Sequence, residues 1–146
     1  MDFSGSTEIA APRDRVWAFV IDPELVGWCG PGVESIEKVD DTHYRATAKV
    51  GIGIISARFK VDLELADAEA PNRSVIRATG HAPGSTVDAR GEMLLSGPPE
   101  GPTTMAWSAD VQISGTIASV GGRMIEGTAS KLIGQAFDCI RGKLEA

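Results

Sequence analysis

The sequence has 146 residues, a length typical of one domain with a buried core, and we expect a single domain over residues 1–146. Its 14 basic and 20 acidic residues give a net charge of −6 without a basic cluster, which argues against nucleic-acid binding. No apolar run approaches the roughly 18 residues of a membrane-spanning helix, so any membrane contact should be peripheral.

The two cysteines and the N-terminus indicate a cytoplasmic, reduced protein. Cys29 and Cys139 lie far apart without metal-ligand spacing, and the first residues lack a signal-peptide pattern. Cys29 could be a reactive thiol, but no neighbouring His or Lys lowers its pKa in the sequence, which favours a small buried side chain.

The first third of the chain predicts a strand followed by two short helices. Apolar and polar residues alternate over Phe3–Ile9, as in a half-buried strand. Pro12 suits the first turn of a helix that reaches about Ile21, and Asp22 begins a second helix that Gly30–Gly32 ends.

Six more strands and one long helix are predicted next. The helix spans roughly Ile117–Leu144, where apolar residues recur at helical spacing. Its five glycines each cost about 1 kcal/mol relative to alanine, which either close packing on the sheet or room for a ligand would offset. The predicted strands are Val33–Val39, Tyr44–Val50, Ile55–Ala66, Ser74–Gly80, Thr86–Leu95 and Thr103–Ser114, and the glycines are Gly121, Gly122, Gly127, Gly134 and Gly142.

One face of these strands carries small residues, which predicts a cavity beneath the helix. Protein interiors otherwise pack densely, so a sheet surface of this kind leaves space for a ligand. The small residues are Ala46, Ala48, Ala57, Ala78, Gly80, Ala89, Gly91 and Ala109.

Larger apolar residues from the sheet and the helix are the candidate ligand contacts. The alternative, that they form an ordinary core, carries about equal weight for each residue. The candidates are Phe59, Val61, Ile76, Met93, Met105, Trp107, Met124, Thr128, Leu132 and Ile133.

The hairpin tip at Gly51–Ile55 is a candidate docking point. It places Ile52, Ile54 and Ile55 at a glycine-flanked turn, where exposed apolar residues favour association with a membrane surface or a partner enzyme. The alternative is a tip folded over the end of its own cavity.

We find no catalytic or metal-binding set in the sequence, and we expect no cofactor. A hydrolase or cyclase needs acid, base or nucleophile side chains within reach of one another inside the cavity. His43 and His81 are expected in exposed loops, and two isolated histidines do not supply the ligands of a zinc site. The candidate acid/base carboxylates fall on the outward side of their strands; they are Asp62, Glu64, Asp88 and Glu92.

The order of elements is similar to the helix-grip arrangement of the START and polyketide-cyclase superfamily. Within it, stretches along nearly the whole chain resemble the G-subunit family of carbon monoxide dehydrogenase. These stretches are Pro12–Trp17, Asp22–Glu24, Cys29–Ile36, Lys49–Gly51, Ser56–Phe59 and Gly121–Leu132.

The resemblance implies an α+β fold, with a curved antiparallel seven-stranded sheet around the long helix and with Trp28 and Pro31 near a cavity mouth. It also implies an accessory protein of aerobic molybdenum-containing CO dehydrogenases or related hydroxylases, linking them to the membrane. Some members carry a C-terminal hydrophobic anchor, whereas this sequence ends at Ala146, so we expect transient contact at the inner face of the cell membrane or a carrier role.

We therefore expect a non-catalytic module that binds an apolar small molecule, with a quinone or a lipid as the suggested ligand. Two alternatives stay open. One is an assembly or maturation factor that contacts the enzyme through protein surfaces alone, and the other is a cyclase- or hydrolase-like enzyme.

Overall fold

The computed structural model describes residues 1–146 and contains one antiparallel sheet of seven strands. The strands lie in the order β1-β7-β6-β5-β4-β3-β2, so β1 and β2 are the two edges. This arrangement confirms the predicted fold class. The strands are β1 (Asp2–Ile9), β2 (Val33–Lys38), β3 (His43–Ile52), β4 (Ile55–Glu69), β5 (Arg73–Ala82), β6 (Ser85–Ser96) and β7 (Thr103–Gly115).

Two short helices follow β1, and one long helix closes the chain. The short helices are α1 (Arg13–Val20) and α2 (Pro23–Val26), with a 3-10 turn at Gly27–Cys29. The long helix α3 spans Gly122–Leu144. Asp22 caps α2, because its carboxylate accepts a hydrogen bond of 2.9 Å from the Glu24 N–H.

The predicted start of the long helix at Ile117 is wrong. Residues Thr116–Val120 form a 3-10 helix, and Gly121 then adopts a φ of +96° that interrupts the helical path. Ile117 is nevertheless buried, since a 3-10 turn can also present one apolar side chain inward. The apolar residues therefore recur at helical spacing as predicted, but they belong to two elements, the 3-10 helix and α3.

Buried residues are few and gather at the two ends of the sheet. Only 17 of the 146 residues are buried, so the space between the sheet and α3 is incompletely filled. The cluster near the C-terminal end of α3 contains Ile9, Ala11, Val16, Cys29, Leu95, Met105, Ile140 and Leu144. The cluster at the opposite end contains Ile52, Phe59 and Ile117.

Cys29 and Cys139 form a disulfide, so the prediction of reduced thiols is wrong. Their Cα atoms lie 5.4 Å apart although 110 positions separate them in the chain. The bond joins the 3-10 turn after α2 to the C-terminal half of α3. The expected cytoplasmic location loses the support it drew from free thiols, because disulfides persist mainly in oxidising surroundings.

None of the helices combines the length and the apolar character that crossing a bilayer requires.

Candidate functional site

An apolar cavity of about 240 Å³ lies between the sheet and the N-terminal half of α3. Five strands and two helical segments contribute to its wall, and 14 of the 16 lining residues are hydrophobic. Those residues are Ala48, Val50, Ile52, Phe59, Val61, Ala78, Gly80, Val87, Ala89, Val111, Ile113, Ile117, Ile125, Thr128, Ala129 and Leu132.

Small side chains on the sheet create this space. Ala78 and Ala89 are paired neighbours on β5 and β6, and Gly80 lies two residues further along β5. A Cβ built on Gly80 would lie 3.5 Å from the Phe59 ring, in ordinary contact. The small residues therefore leave space in front of the sheet, and the larger side chains of the cavity wall form its boundary.

A second apolar cleft of about 290 Å³ follows the first along α3. The ring centroids of Trp107 and Phe137 lie 5.2 Å apart in this cleft, so these side chains connect β7 to α3. Gly5 makes room for the indole, because a Cβ there would lie 2.9 Å from the Trp107 ring. The cleft is lined by Ser74, Ile76, Gly91, Glu92, Met93, Trp107, Ser108, Ala109, Ile133, Ala136 and Phe137.

The predicted ligand contacts are divided between these two spaces. Phe59, Val61, Thr128 and Leu132 line the cavity. Ile76, Met93, Trp107 and Ile133 line the cleft instead. The sequence placed all eight around one site, whereas their positions along the paired strands and α3 divide them between the cavity and the cleft.

Four other predicted contacts line neither space. Met105 is 2% exposed within the cluster near the C-terminal end of α3, so the structure places it in the core, away from both spaces. Met124 is 48% exposed at the start of α3, and Trp28 is 54% exposed on the 3-10 turn. Pro31 is half-buried in the turn before β2.

The hairpin tip between β3 and β4 combines one buried and one exposed isoleucine. Ile52 is 6% exposed and lines the cavity, so its predicted exposure is wrong, whereas Ile54 is fully exposed and Ile55 is half-buried. The Met124 methyl group lies over the turn, 3.6 Å from the position of a Cβ on Gly53. Ile54 and Met124 thus form an apolar rim at this end of the cavity.

Three of the four carboxylates considered for catalysis are engaged in polar contacts outside the cavity. Asp62 pairs with Arg45, and the Asp88 carboxylate accepts a hydrogen bond from the Thr79 hydroxyl. Glu92 lies 2.7 Å from the Arg73 guanidinium. His43 and His81 are exposed, and no group of three or more His, Cys, Asp or Glu side chains is arranged to hold a metal ion.

The two carboxyl groups with clearly lowered pKa values also lie on the outer surface. The Thr42 backbone N–H and the His43 ring lower the pKa of Asp40 to about 2. A hydrogen bond and the charge of Arg58 lower the pKa of Glu34. Neither group faces the cavity, whose wall contains no titratable side chain.

Several cavity residues were missed from the sequence. Val87, Val111 and Ile113 share the period-two face of Ala89 and Ala109, so the same alternation could have assigned them. Ile125 and Ala129 lie one helical turn before Thr128 and Leu132, so the helical spacing could also have assigned them to the cavity. No sequence pattern near Cys29 or Cys139 indicated that these two cysteines pair.

Comparison with known proteins places the chain in a family. The sequence model of CoxG, the G subunit of carbon monoxide dehydrogenase, matches residues 5–145. The chain belongs to the CoxG family. A search of curated protein sequences found no significant match.

Solved structures support the START-like fold of this CoxG family member. A conserved protein from Geobacillus kaustophilus superposes with a TM-score of 0.91 at 24% identity, covering 99% of this chain and 95% of that one. The ZhuI aromatase/cyclase from Streptomyces sp. R1128 gives 0.74 at 16% identity, with 99% and 93% covered. A START superfamily protein from Mycobacterium smegmatis gives 0.69 at 18% identity, with 99% and 97% covered.

Proposed function

We propose that the protein is a non-catalytic carrier of an apolar small molecule, of quinone or lipid type. It would act as an accessory to an aerobic molybdenum-containing CO dehydrogenase or a related hydroxylase and link that enzyme to the membrane. The observation that carries the proposal is the cavity of about 240 Å³, whose lining is hydrophobic at 14 of 16 positions.

The cavity and the cleft together favour an elongated ligand. They lie end to end between the sheet and α3, and both are lined mainly by apolar side chains. An apolar pocket gains affinity by removing apolar ligand surface from water, at about 25 cal/mol per Å². A chain with a flat head group could occupy both spaces at once.

The lining is poorly suited to catalysis. One solved neighbour is an aromatase/cyclase, but a cyclase reaction needs side chains that donate or accept protons within reach of the substrate. Thr128 supplies the only side-chain hydroxyl in the cavity wall, and no charged group accompanies it. The cleft adds Ser74, Ser108 and Glu92, but the Glu92 carboxylate is paired with Arg73. These features favour binding over turnover.

The rim supports a transient contact with a lipid surface. Ile54 is fully exposed and Met124 is 48% exposed, so both side chains can enter the interfacial region of a bilayer. Arg123, exposed beside Met124, adds attraction to anionic head groups. The ligand would then pass between bilayer and cavity at this end.

Extraction of the purified protein tests the proposal. Protein prepared from its native host should release a quinone or lipid into organic solvent, identified by mass spectrometry, and the emptied protein should bind decylubiquinone. Ala89→Leu, which fills the cavity, should reduce both signals. An empty parent protein that binds neither decylubiquinone nor a fatty acid, yet still binds the hydroxylase, would favour the assembly-factor alternative instead.

A further inference from the structure

Strand β1 leaves one side of its backbone unpaired. It pairs only with β7, and Met1 and Val111 exchange hydrogen bonds in both directions, at 2.7 and 2.8 Å. Since paired and unpaired residues alternate in an antiparallel ladder, the backbone groups of Ser4, Ser6 and Glu8 point away from the sheet. The next outward N–H, that of Ala10, donates to the Glu145 carboxylate at 2.9 Å.

A groove of about 630 Å³ lies between this free edge and α3. Its floor consists of Trp107, Ile133 and Phe137, and its helix wall carries Ser130, Gly134 and the ion pair of Asp138 with Arg141. A Cβ on Gly134 would meet no atom within 4 Å, so the helix wall leaves room beside the edge. The groove shares no lining residue with the cavity, whereas its three floor residues also line the cleft.

The middle of this edge lacks the features that usually protect an exposed strand. Natural edge strands carry lysine, proline or a bulge that prevents further pairing. Here Ser4, Gly5 and Ser6 are exposed, small and uncharged, and the register with β7 is continuous from Asp2 to Ile9. An added strand would meet no steric or electrostatic obstacle at the centre.

We propose that β1 binds an extended segment of a partner polypeptide as an eighth strand. Such a strand would satisfy the outward N–H and C=O groups and insert every second side chain over the aromatic floor. The residues at the two ends of this added strand would lie beside Asp2 and Glu8, which are six positions apart on the outer face of β1. The segment therefore has a cation at each end and apolar residues at alternate positions between them.

Charge also argues against a second copy of this chain as the occupant. In the longest two-fold pairing of β1 with itself, centred on Gly5, Asp2 of each copy lies opposite Glu8 of the other. Like charges directly opposite each other destabilise a ladder, and here the repulsion occurs twice. A cationic segment converts both positions into attractive pairs.

Selection from a random 12-residue peptide library on the intact protein tests this proposal. We expect enriched peptides with a cation, three alternating apolar residues and a second cation. Ser6→Pro should weaken their binding about tenfold, because it removes an outward donor without breaking a bond to β7. Ser6→Ala keeps the N–H and should bind as the parent does.

Gly134→Leu provides a second variant, because it fills the groove from α3 and leaves β1 unchanged. It should also weaken binding about tenfold, while the cavity still binds decylubiquinone. The proposal is overturned if no peptide of this pattern is enriched, or if the enriched peptides bind the parent, Ser6→Pro and Gly134→Leu equally. A dimer of this chain in sedimentation, lost in Ser6→Pro, would also overturn it.

Discussion

Single small residues decide whether this fold is filled or hollow. Ala89 and Ala11 both lie on the inner side of the structure, yet their surroundings differ. Ala89 faces the cavity, whereas Ala11 is 4% exposed among the side chains of the cluster near the C-terminal end of α3. The same residue type thus marks open space in one place and tight packing in the other.

This difference predicts opposite results for two matched substitutions. Ala11→Leu should lower the free energy of unfolding by about 1–3 kcal/mol, since added methylenes strain a filled core. Ala89→Leu should cost less than that, because its side chain enters empty space, and it should abolish binding of an apolar fluorescent probe. Urea unfolding and probe titration measure the two effects. Equal destabilisation by both, with probe binding kept, would identify ordinary core at Ala89.

A second residue-scale prediction concerns the turn between β2 and β3. The Asp40 carboxylate accepts hydrogen bonds from the Thr42 and His43 N–H groups, at 2.9 and 2.8 Å, which helps to hold its pKa at about 2. A depressed carboxyl pKa stabilises the folded state above the ordinary value of 3.8, and this contribution disappears as the pH falls from about 4 to about 2.

Asp40→Asn should therefore reduce the loss of stability between pH 5 and pH 2. Asp41→Asn is the matched control, since Asp41 makes only an exposed ion pair with Lys38 and its loss should change this dependence little. Urea midpoints at several pH values provide the measurement. Parallel pH profiles for the parent and Asp40→Asn would contradict the assignment.

At the scale of elements, periodicity predicted the strands better than the helix boundaries. Alternation located all seven strands because each has one face toward α3 and one toward water. The start of α3 was missed because Ile117 and Val120 fit a helical pattern while belonging to a 3-10 turn. The division of predicted ligand contacts between cavity and cleft depends on the pairing register of β5, β6 and β7, which a pattern within one strand does not encode.

The hairpin tip offers a test in which neighbouring isoleucines should behave differently. Ile54→Ser should change stability by less than about 0.5 kcal/mol, because the side chain is fully exposed, and should weaken cosedimentation with anionic vesicles. Ile52→Ser should lower stability by about 2 kcal/mol or more, because it removes a buried side chain. Unchanged vesicle binding by Ile54→Ser would remove the rim from the membrane contact.

At the scale of the whole molecule, the disulfide connects parts of the chain that no local pattern relates. Cys29 follows α2, and Cys139 lies near the end of α3, with the entire sheet except β1 between them in sequence. Their proximity results from the way the sheet wraps around α3, so only the three-dimensional structure could reveal the pair. The bond lies at the end of the molecule opposite the apolar rim.

Loss of this bond should have a large effect on global stability. Cross-linking residues 110 positions apart restricts the unfolded chain, and loops of about 100 residues correspond to about 4–5 kcal/mol in the chain-entropy account. We expect the Cys29→Ser/Cys139→Ser double variant and the dithiothreitol-treated parent to unfold at similarly reduced urea concentrations. The double variant is its own control, because dithiothreitol should not shift its midpoint further. Since Cys29 is 5% exposed, reduction of the folded parent should be slow without denaturant. Identical midpoints for the parent and the double variant would mean that packing alone joins α2 to α3.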